Sequence, residues 1–436
     1  MQNTPEPSSA PDSTKRRVLI VAEHASARFG GEAILPLHYF RVLRKRNIEA
    51  WLIVHERTRH ELTALLPNDV ERIRFIPDTR FQIWLFRVGK ILPGQIRHFT
   101  IGFLSRLSSQ RRARRMAREL VAEQRIDVVH QPIPVSPKES SLLYDLGAPL
   151  IIGPMNGGMS YPPGFGTMQG GFSRGFMRIG RAISGLLNRL MPGKLRADVL
   201  LVANERTRAA LPAGIRGKVI ELPENGVDLS LWTTKTQEAQ ASTQTRLVFS
   251  GRLVDWKAVD VLLEAFATVA KSCDATLDIL GDGAMRPALQ AQCKSLQLTD
   301  RVKFHGWVPQ TQLAARLRDA DILVLPSLYE CGGAVVLEAM AAGIPVIASD
   351  WGGPTDYLDE SCGILVPPKS RQQFVEDLAA AMTKLCTDPD LRLAMGISGR
   401  KKVQEQFDWE RKVDRMMEIY RLTLPTNQRG NGTFPR

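Results

Sequence analysis

The chain has 436 residues, 44% of them hydrophobic and 24% charged, an ordinary globular composition that is too long for one compact core. Collagen-like, wholly disordered and disulfide-scaffold readings are excluded, because the five cysteines are sparse, odd in number and confined to the second half. Lys and Arg outnumber Asp and Glu by 58 to 45, a net charge of +13, which points to an anionic partner: nucleic acid, a membrane surface or a phosphorylated substrate.

Residues 1–14 are Pro, Ser, Thr and other polar residues and read as a disordered tail. The apolar run Val18 to Ala22 is too short for a signal-peptide core, and no window offers about 18 consecutive apolar residues. The expectation is a cytoplasmic protein, with peripheral attachment to the inner face of the membrane left open. Free thiols and the lack of any CxxC pair suit a reducing compartment without structural zinc.

Short apolar runs then alternate with helical patterns. Strands are expected at Arg17–Ala22, Trp51–Val54, Ile126–His130, Pro149–Gly153 and Val199–Val202, with a Gly-rich turn at Gly30-Gly31 and a helix from about Ala33 to Arg46. The second half repeats the style at Arg246–Ser250, Thr276–Leu280, Val302–Phe304, Ile322–Leu325, Pro345–Ala348 and Gly363–Val366. Helical patterns lie between them, as at Val259–Ala270 and Val335–Ala342. This alternation predicts an α/β protein of two doubly wound Rossmann-like domains facing an interdomain cleft. The expected boundaries are 15–220 for the first domain and 221–405 for the second. A closing helix over 406–424 is expected to pack back toward the first domain, with a loose tail at 425–436.

In open α/β sheets, ligands bind beyond the C-terminal ends of strands. Two strand-to-helix loops carry the chemistry. Ser250-Gly251-Arg252-Leu253-Val254-Asp255-Trp256-Lys257 puts two cations five positions apart. Arg can grip phosphate oxygens with a fork while Lys adds a point charge, which would suit a diphosphate leaving group; two solvated surface cations would look the same. The second loop runs from Pro326 through Glu330-Cys331-Gly332-Gly333-Ala334-Val335 to Glu338. Its glycines allow backbone to approach a ligand, and it opens a helix whose first N–H groups would face an anion. Glu338 on the first turns of that helix can accept hydrogen bonds from sugar hydroxyls, though the helix dipole also favours an acid there.

Arg252 with Lys257, and Glu330 with Glu338 followed by Ala-Met-Ala-Ala-Gly343, resemble the donor site of family-4 (group 1) glycosyltransferases, retaining enzymes of the GT-B fold. Gly281-Asp-Gly283, Phe304-His-Gly-Trp-Val-Pro309, Glu224-Asn-Gly-Val-Asp228 and Gly352-Gly353 fall in the expected order as well. The resemblance is strong over roughly Glu221 to Pro368 and weaker over Arg17 to Asn204.

It implies that Arg252 and Lys257 bind the diphosphate of a nucleotide sugar and that Glu338 holds the ribose hydroxyls. Glu330 would contact the transferred sugar and stabilise its oxocarbenium-like transition state. Backbone at Gly251 and from Gly332 and Gly333 to Ala334 and Val335 would also face the donor, Trp307 and Val308 would lie near the base, and Gly30 and Gly31 would match the family's N-terminal glycine loop. His130 ends a strand and stands close to the position of a histidine that related enzymes carry near the reacting sugar, although in many of them it lies two positions later, at Pro132 here. No bound metal or other cofactor is implied. The chain departs from the pattern at Cys331-Gly332-Gly333, where Gly-Phe-Gly is common, and at Ala258, where a glycine is usual.

The implied activity is that of a hexosyltransferase: sugar moves from a nucleotide-diphosphate sugar to a glycan or lipid-linked acceptor with retention of configuration, in cell-surface polysaccharide or glycolipid synthesis. The loop Gly153-Pro-Met-Asn-Gly-Gly-Met159 could shape the acceptor pocket. From Thr79 to Arg118 there are ten Lys and Arg residues and no carboxylate, and Gly147 to Ala197 also lacks one. Trp84, Phe86, Phe99, Phe103 and Leu104 interleave with the first set, and Arg174, Arg178 and Arg181 share a helical face in the second. Both suit an anionic lipid surface.

Alternatives are a basic nucleic-acid-binding protein, resting on charge and on the run Arg111 to Arg118, and another GT-B enzyme such as a sugar-nucleotide epimerase. No nucleic-acid-binding signature accompanies the basic run, so nucleic acid is not expected as a partner. His55-Glu-Arg-Thr-Arg-His60 misses the HExxH zinc spacing by one residue. Asp319-Ala-Asp321 imitates a DxD motif but leads into a strand.

Overall fold

The computed structural model describes residues 16–28, 31–80, 82, 84–85, 94–168, 184–234 and 244–423. They fall into two compact units. The first comprises the described parts of Met1–Met155, Ala182–Leu222 and Val413–Arg436, the second those of Asn156–Arg181 and Pro223–Lys412.

The first unit holds a seven-stranded, all-parallel sheet. Its strands are β1 (Arg17–Val21), β2 (Glu49–His55), β3 (Ile73–Ile76), β4 (Val128–Gln131), β5 (Leu150–Met155), β6 (Val199–Val202) and β7 (Lys218–Glu221). They lie in the order β3-β2-β1-β4-β5-β6-β7. The second unit holds a six-stranded parallel sheet of β8 (Thr245–Ser250), β9 (Ala275–Leu280), β10 (Val302–Gly306), β11 (Ile322–Leu325), β12 (Val346–Ser349) and β13 (Gly363–Val366). Their order is β10-β9-β8-β11-β12-β13. Parallel strands covered by helices on both faces are buried throughout, so β4, β6, β11 and β12 are buried at every position, and β6 and β11 are wholly apolar. Each sheet is doubly wound, as two Rossmann-like domains require.

β3 and β7 had not been expected. Both are four-residue edge strands, and their burial is partial: Arg74, Lys218 and Glu221 are exposed. A strand covered on one side only lacks the continuous apolar run that marks its inner neighbours.

The basic stretch contains a long helix. Gly94–Gln124 is one 31-residue helix. Its core-facing positions are Ile101, Ser105, Ser109, Ala113, Ala117 and Leu120, all buried, a helical spacing of four and then three residues carried largely by small side chains. The buried Gln82 amide donates to Ser109 Oγ at 2.8 Å and to the Ser105 carbonyl at 3.2 Å. Because serine and alanine fill the buried stripe, hydropathy alone does not reveal the helix. Arg174, Arg178 and Arg181 lie outside the described residues. Among the described residues, no helix is long and apolar enough to cross a membrane.

A sheet wound in both directions opens a crevice where the strand order reverses. In the first unit this point lies between β1 and β4, and in the second between β8 and β11. The second is where both charged loops of the sequence emerge.

Candidate donor site

β8 and β11 are paired in parallel, with Ile322 opposite Leu247 and Leu323 opposite Val248, so the loops that follow them leave the sheet side by side. The Leu328 N–H donates to the Trp256 carbonyl at 2.8 Å and ties the loops together. Lys257 folds back so that its amine lies 3.6 Å from where a Cβ on Gly251 would stand, and the Glu330 side chain lies over Gly333. The two side chains meet, with Lys257 Nζ donating to Glu330 Oε2, both of them largely shielded from solvent. Arg252 is exposed, its guanidinium 5.7 Å from the centre of the Trp256 ring.

The loops after β9 and β10 buttress this arrangement. A Cβ at Gly281 would stand 1.9 Å from the Gly251 carbonyl oxygen, a distance no side chain tolerates, so the loop after β8 can lie against the one after β9 only because residue 281 is glycine. This gives the Gly281-Asp-Gly283 motif a physical role.

Gly333 takes a left-handed conformation (φ 73°) and starts the helix Ala334–Ala342, and no side chain caps it. Helix-starting N–H groups without a cap attract anions. Ala334 is exposed and Val335 is half-buried. Glu338, one turn further on, is half-buried. Burial pushes its carboxyl up to about 7, against a side-chain hydrogen bond with Gln310 that favours the ionised form. Gln310 opens the helix following β10, just beyond Trp307, which is 72% exposed, and the half-buried Val308. The structure therefore gathers Gly251, Arg252, Lys257, Glu330, Gly332, Gly333, Ala334 and Val335 at one switch point. Glu338 lies next along the helix, linked by Gln310 to the segment that carries Trp307 and Val308.

Ala258 stands where the resemblance leads one to expect glycine. It has φ 49° and ψ 37° and precedes the helix Val259–Ser272. A left-handed L-residue is disfavoured by about 1–2 kcal/mol, partly offset by the greater chain entropy that glycine loses on folding. Ala258→Gly is expected to raise Tm by about 2–4 °C in a thermal melt.

Asp321 is structural: its side chain accepts from the Arg246 N–H at 2.8 Å, and its own N–H donates to the Arg246 carbonyl, also at 2.8 Å.

His130, expected beside the reacting sugar, is placed differently. It is fully buried in the first unit. Its Nε2 lies 2.7 Å from the Gly153 carbonyl oxygen and its Nδ1 lies 2.7 Å from the Tyr420 hydroxyl. A carbonyl only accepts, so Nε2 carries the proton and Nδ1 accepts from Tyr420. With both nitrogens engaged and Tyr39 packed edge-on at 4.9 Å, His130 braces β4 against β5. The strand runs one residue past it, to Gln131, and the buried ring is held within the first unit. Gly31 opens a short 3-10 turn with φ 52°, and Gly30 lies outside the described residues.

Several buried polar residues of the second unit carried no assigned role. Asn156, Glu224 and Lys412 are 2%, 5% and 4% exposed, and they join Asn225 and Tyr357 in a hydrogen-bonded network against the glycine loop. Asn156 and Glu224 sit in quoted motifs. Lys412 had a legible signal too: it falls on the apolar stripe Trp409, Val413, Met416 and Tyr420 of the final helix, Trp409–Thr423, where a lysine requires buried acceptors.

Residues 232–402 match the family model described as glycosyl transferases group 1. That match covers the second unit's sheet and leaves the first unit's outside it. It contains every donor-site residue expected from the second half of the chain. An uncharacterised glycosyltransferase of Methanocaldococcus jannaschii is 32% identical over 179 residues, covering 41% of this chain and 45% of the relative. A GDP-mannose-dependent phosphatidylinositol monomannoside mannosyltransferase of Corynebacterium glutamicum is 31% identical over 212 residues, covering 45% and 54%. The chain thus spans about half the length of these curated relatives.

Among solved structures, sucrose-phosphate synthase of Thermosynechococcus elongatus superposes with a TM-score of 0.65 at 20% identity, covering 93% of this chain and 99% of that one. Anabaena HepE, solved with UDP and glucose, gives 0.62 at 16% identity with the same coverage. At these identities the likeness concerns the fold, which is GT-B.

Proposed function

We propose that the protein is a glycosyltransferase that takes a sugar from a nucleotide-diphosphate donor and transfers it, with retention, to a glycan or lipid-linked acceptor. The observation that carries the reading is the meeting of Lys257 with Glu330 at the β8/β11 switch point, inside the segment that matches the group 1 family. In the proposed complex Arg252, Lys257 and the uncapped start of the Ala334–Ala342 helix hold the diphosphate. Glu338 accepts from the ribose hydroxyls, and the base lies toward Trp307 and Val308.

As the bond to the sugar breaks, negative charge collects on the diphosphate and positive charge on the sugar ring. Preorganised cations stabilise the first and the Glu330 carboxylate the second. In the unliganded site Lys257 neutralises Glu330. An arriving diphosphate competes for the lysine and turns the carboxylate toward the sugar. His130 has no direct part in this scheme.

Thermal-shift titration with UDP, GDP, ADP and CMP tests the donor. One nucleoside diphosphate is expected to stabilise the protein, by about 2.7 kcal/mol at a hundredfold excess over Kd. The anomeric configuration of the product, read by NMR, tests retention. The reading fails if no nucleotide stabilises the protein and no nucleotide sugar is consumed.

A lipid-linked acceptor is favoured by the first unit's surface. Arg111, Arg112, Arg115 and Arg118 are exposed on one long helix, and Leu104 on the same helix is 40% exposed. A cationic face with exposed apolar side chains suits an anionic leaflet. The protein is expected to float with vesicles containing anionic phospholipid at low salt and to stay behind with neutral ones. Equal behaviour with both would refute the membrane assignment.

A further inference from the structure

We infer that Asn156 and Glu224 are positioning residues that brace the backbone of the Glu330–Gly333 loop, an inference that rests on that loop being the donor site. Three contacts hold the loop. The Gly353 N–H donates to the Glu330 carbonyl at 2.7 Å. The Asn156 side-chain amide donates at 2.7 Å to the next carbonyl, that of Cys331. Gly332 then lies on the Glu224 side chain so closely that a Cβ there would stand 2.2 Å from Glu224 Oε1. Consecutive peptides are thereby fixed from behind, ahead of the helix whose N-terminus has no side-chain cap.

Glu224 is itself immobilised. Its Oε2 accepts from the same Asn156 amide at 2.8 Å, and its Oε1 accepts from Asn225 Nδ2 at 3.0 Å. An amide NH₂ offers two donors, one for the carboxylate and one for the carbonyl, without adding a charge, which suits asparagine at 156. Beneath it, Lys412 Nζ donates to the carbonyls of Pro223, Glu224 and Asn225. The lysine thus grips the main chain of Glu224 and places a compensating charge in the same buried site, leaving the carboxylate to face the loop. Asn156 and Glu224 come from motifs 68 positions apart, and their meeting beneath Gly332 accounts for both. A bracing shell of this kind holds reacting groups in place without touching the substrate.

The test is Asn156→Ala, with Glu224→Gln as the conservative partner, because loss of the whole Glu224 side chain endangers folding. Hydrogen exchange of the peptide covering Glu330–Val335 is read against the rest of the second unit. Donor KM and kcat are measured on the folded fraction. Asn156→Ala is expected to speed exchange in that peptide alone and to lower kcat/KM on the order of tenfold to a hundredfold. Glu224→Gln, which keeps shape and one acceptor, is expected to fall between it and the parent. If exchange in the loop is unchanged, or rises only together with the whole unit while kcat/KM stays within twofold, the brace is refuted. If the parent protein binds no nucleotide, the donor reading fails, and loop exchange still decides the brace.

Discussion

Arg252→Ala is expected to lower kcat by about 10²–10³-fold, the scale on which removal of one preorganised charge-stabilising donor acts. The chemistry demands it: a departing diphosphate gains charge as the sugar bond breaks, and a fork-shaped cation can answer at two oxygens. Lys257 cannot take over alone, because it is a single point charge that also serves Glu330. The loss should concern turnover and not folding. Arg252 is exposed, with its guanidinium beside the Trp256 ring, and Tm should shift by less than a few degrees. Arg252→Lys should recover only part of the rate, since lysine lacks the bidentate geometry. Steady-state kinetics on the three proteins decides the matter; a kcat for Arg252→Ala within threefold of the parent would remove this residue from the mechanism.

Glu338 should show opposed effects on stability and binding. Its carboxyl is raised to about 7 in the folded protein by burial, from an ordinary carboxylate value near 4.5 when unfolded. Between those values the folded chain holds the proton more tightly than the unfolded one. The stabilising contribution is therefore complete below about pH 4.5 and is lost as pH rises through 7. Glu338→Gln removes the group that must ionise at a site that resists charge. Relative to the parent it should melt higher at pH 8 and differ little at pH 4.

Nucleotide binding should move the other way. The ionised carboxylate offers its lone pairs to two ribose hydroxyls, so binding to the parent should strengthen from pH 6 to pH 8. Glu338→Gln should bind on the order of tenfold more weakly at pH 8, as expected for loss of hydrogen bonds to a charged acceptor, and show a flat profile over that range. Calorimetry across the pH series tests both arms. A parent whose affinity ignores pH, or a variant that binds as well as the parent at pH 8, would refute the assignment.

The two sheets were legible because their inner strands are buried on both faces, so Ile322–Leu325 and Val199–Val202 read as continuous apolar runs with the bounds later observed. The edge strands Ile73–Ile76 and Lys218–Glu221 were not, since one open side permits charge. The long helix Gly94–Gln124 escaped notice because serine and alanine line its buried stripe.

At the site, Arg252, Lys257, Glu330 and Glu338 could be nominated from residue type and spacing within single loops. What spacing could not decide was direction. His130 lies near the end of β4, yet its ring turns inward to Gly153 and Tyr420. Gly332 looked like room for a ligand, and its hydrogen in fact also makes room for Glu224.

The α/β class, the two doubly wound sheets and the charged loops that follow β8 and β11 were legible along the chain, because they depend on local hydropathy and on residues near one another in it. Only the tertiary structure decided that Lys257 faces Glu330, that His130 belongs to the core, and that Asn156, Glu224 and Lys412 stand beneath the glycine loop. Those contacts join segments up to 290 positions apart, and their existence depends on strand order and side-chain direction, which residue spacing along the chain does not encode.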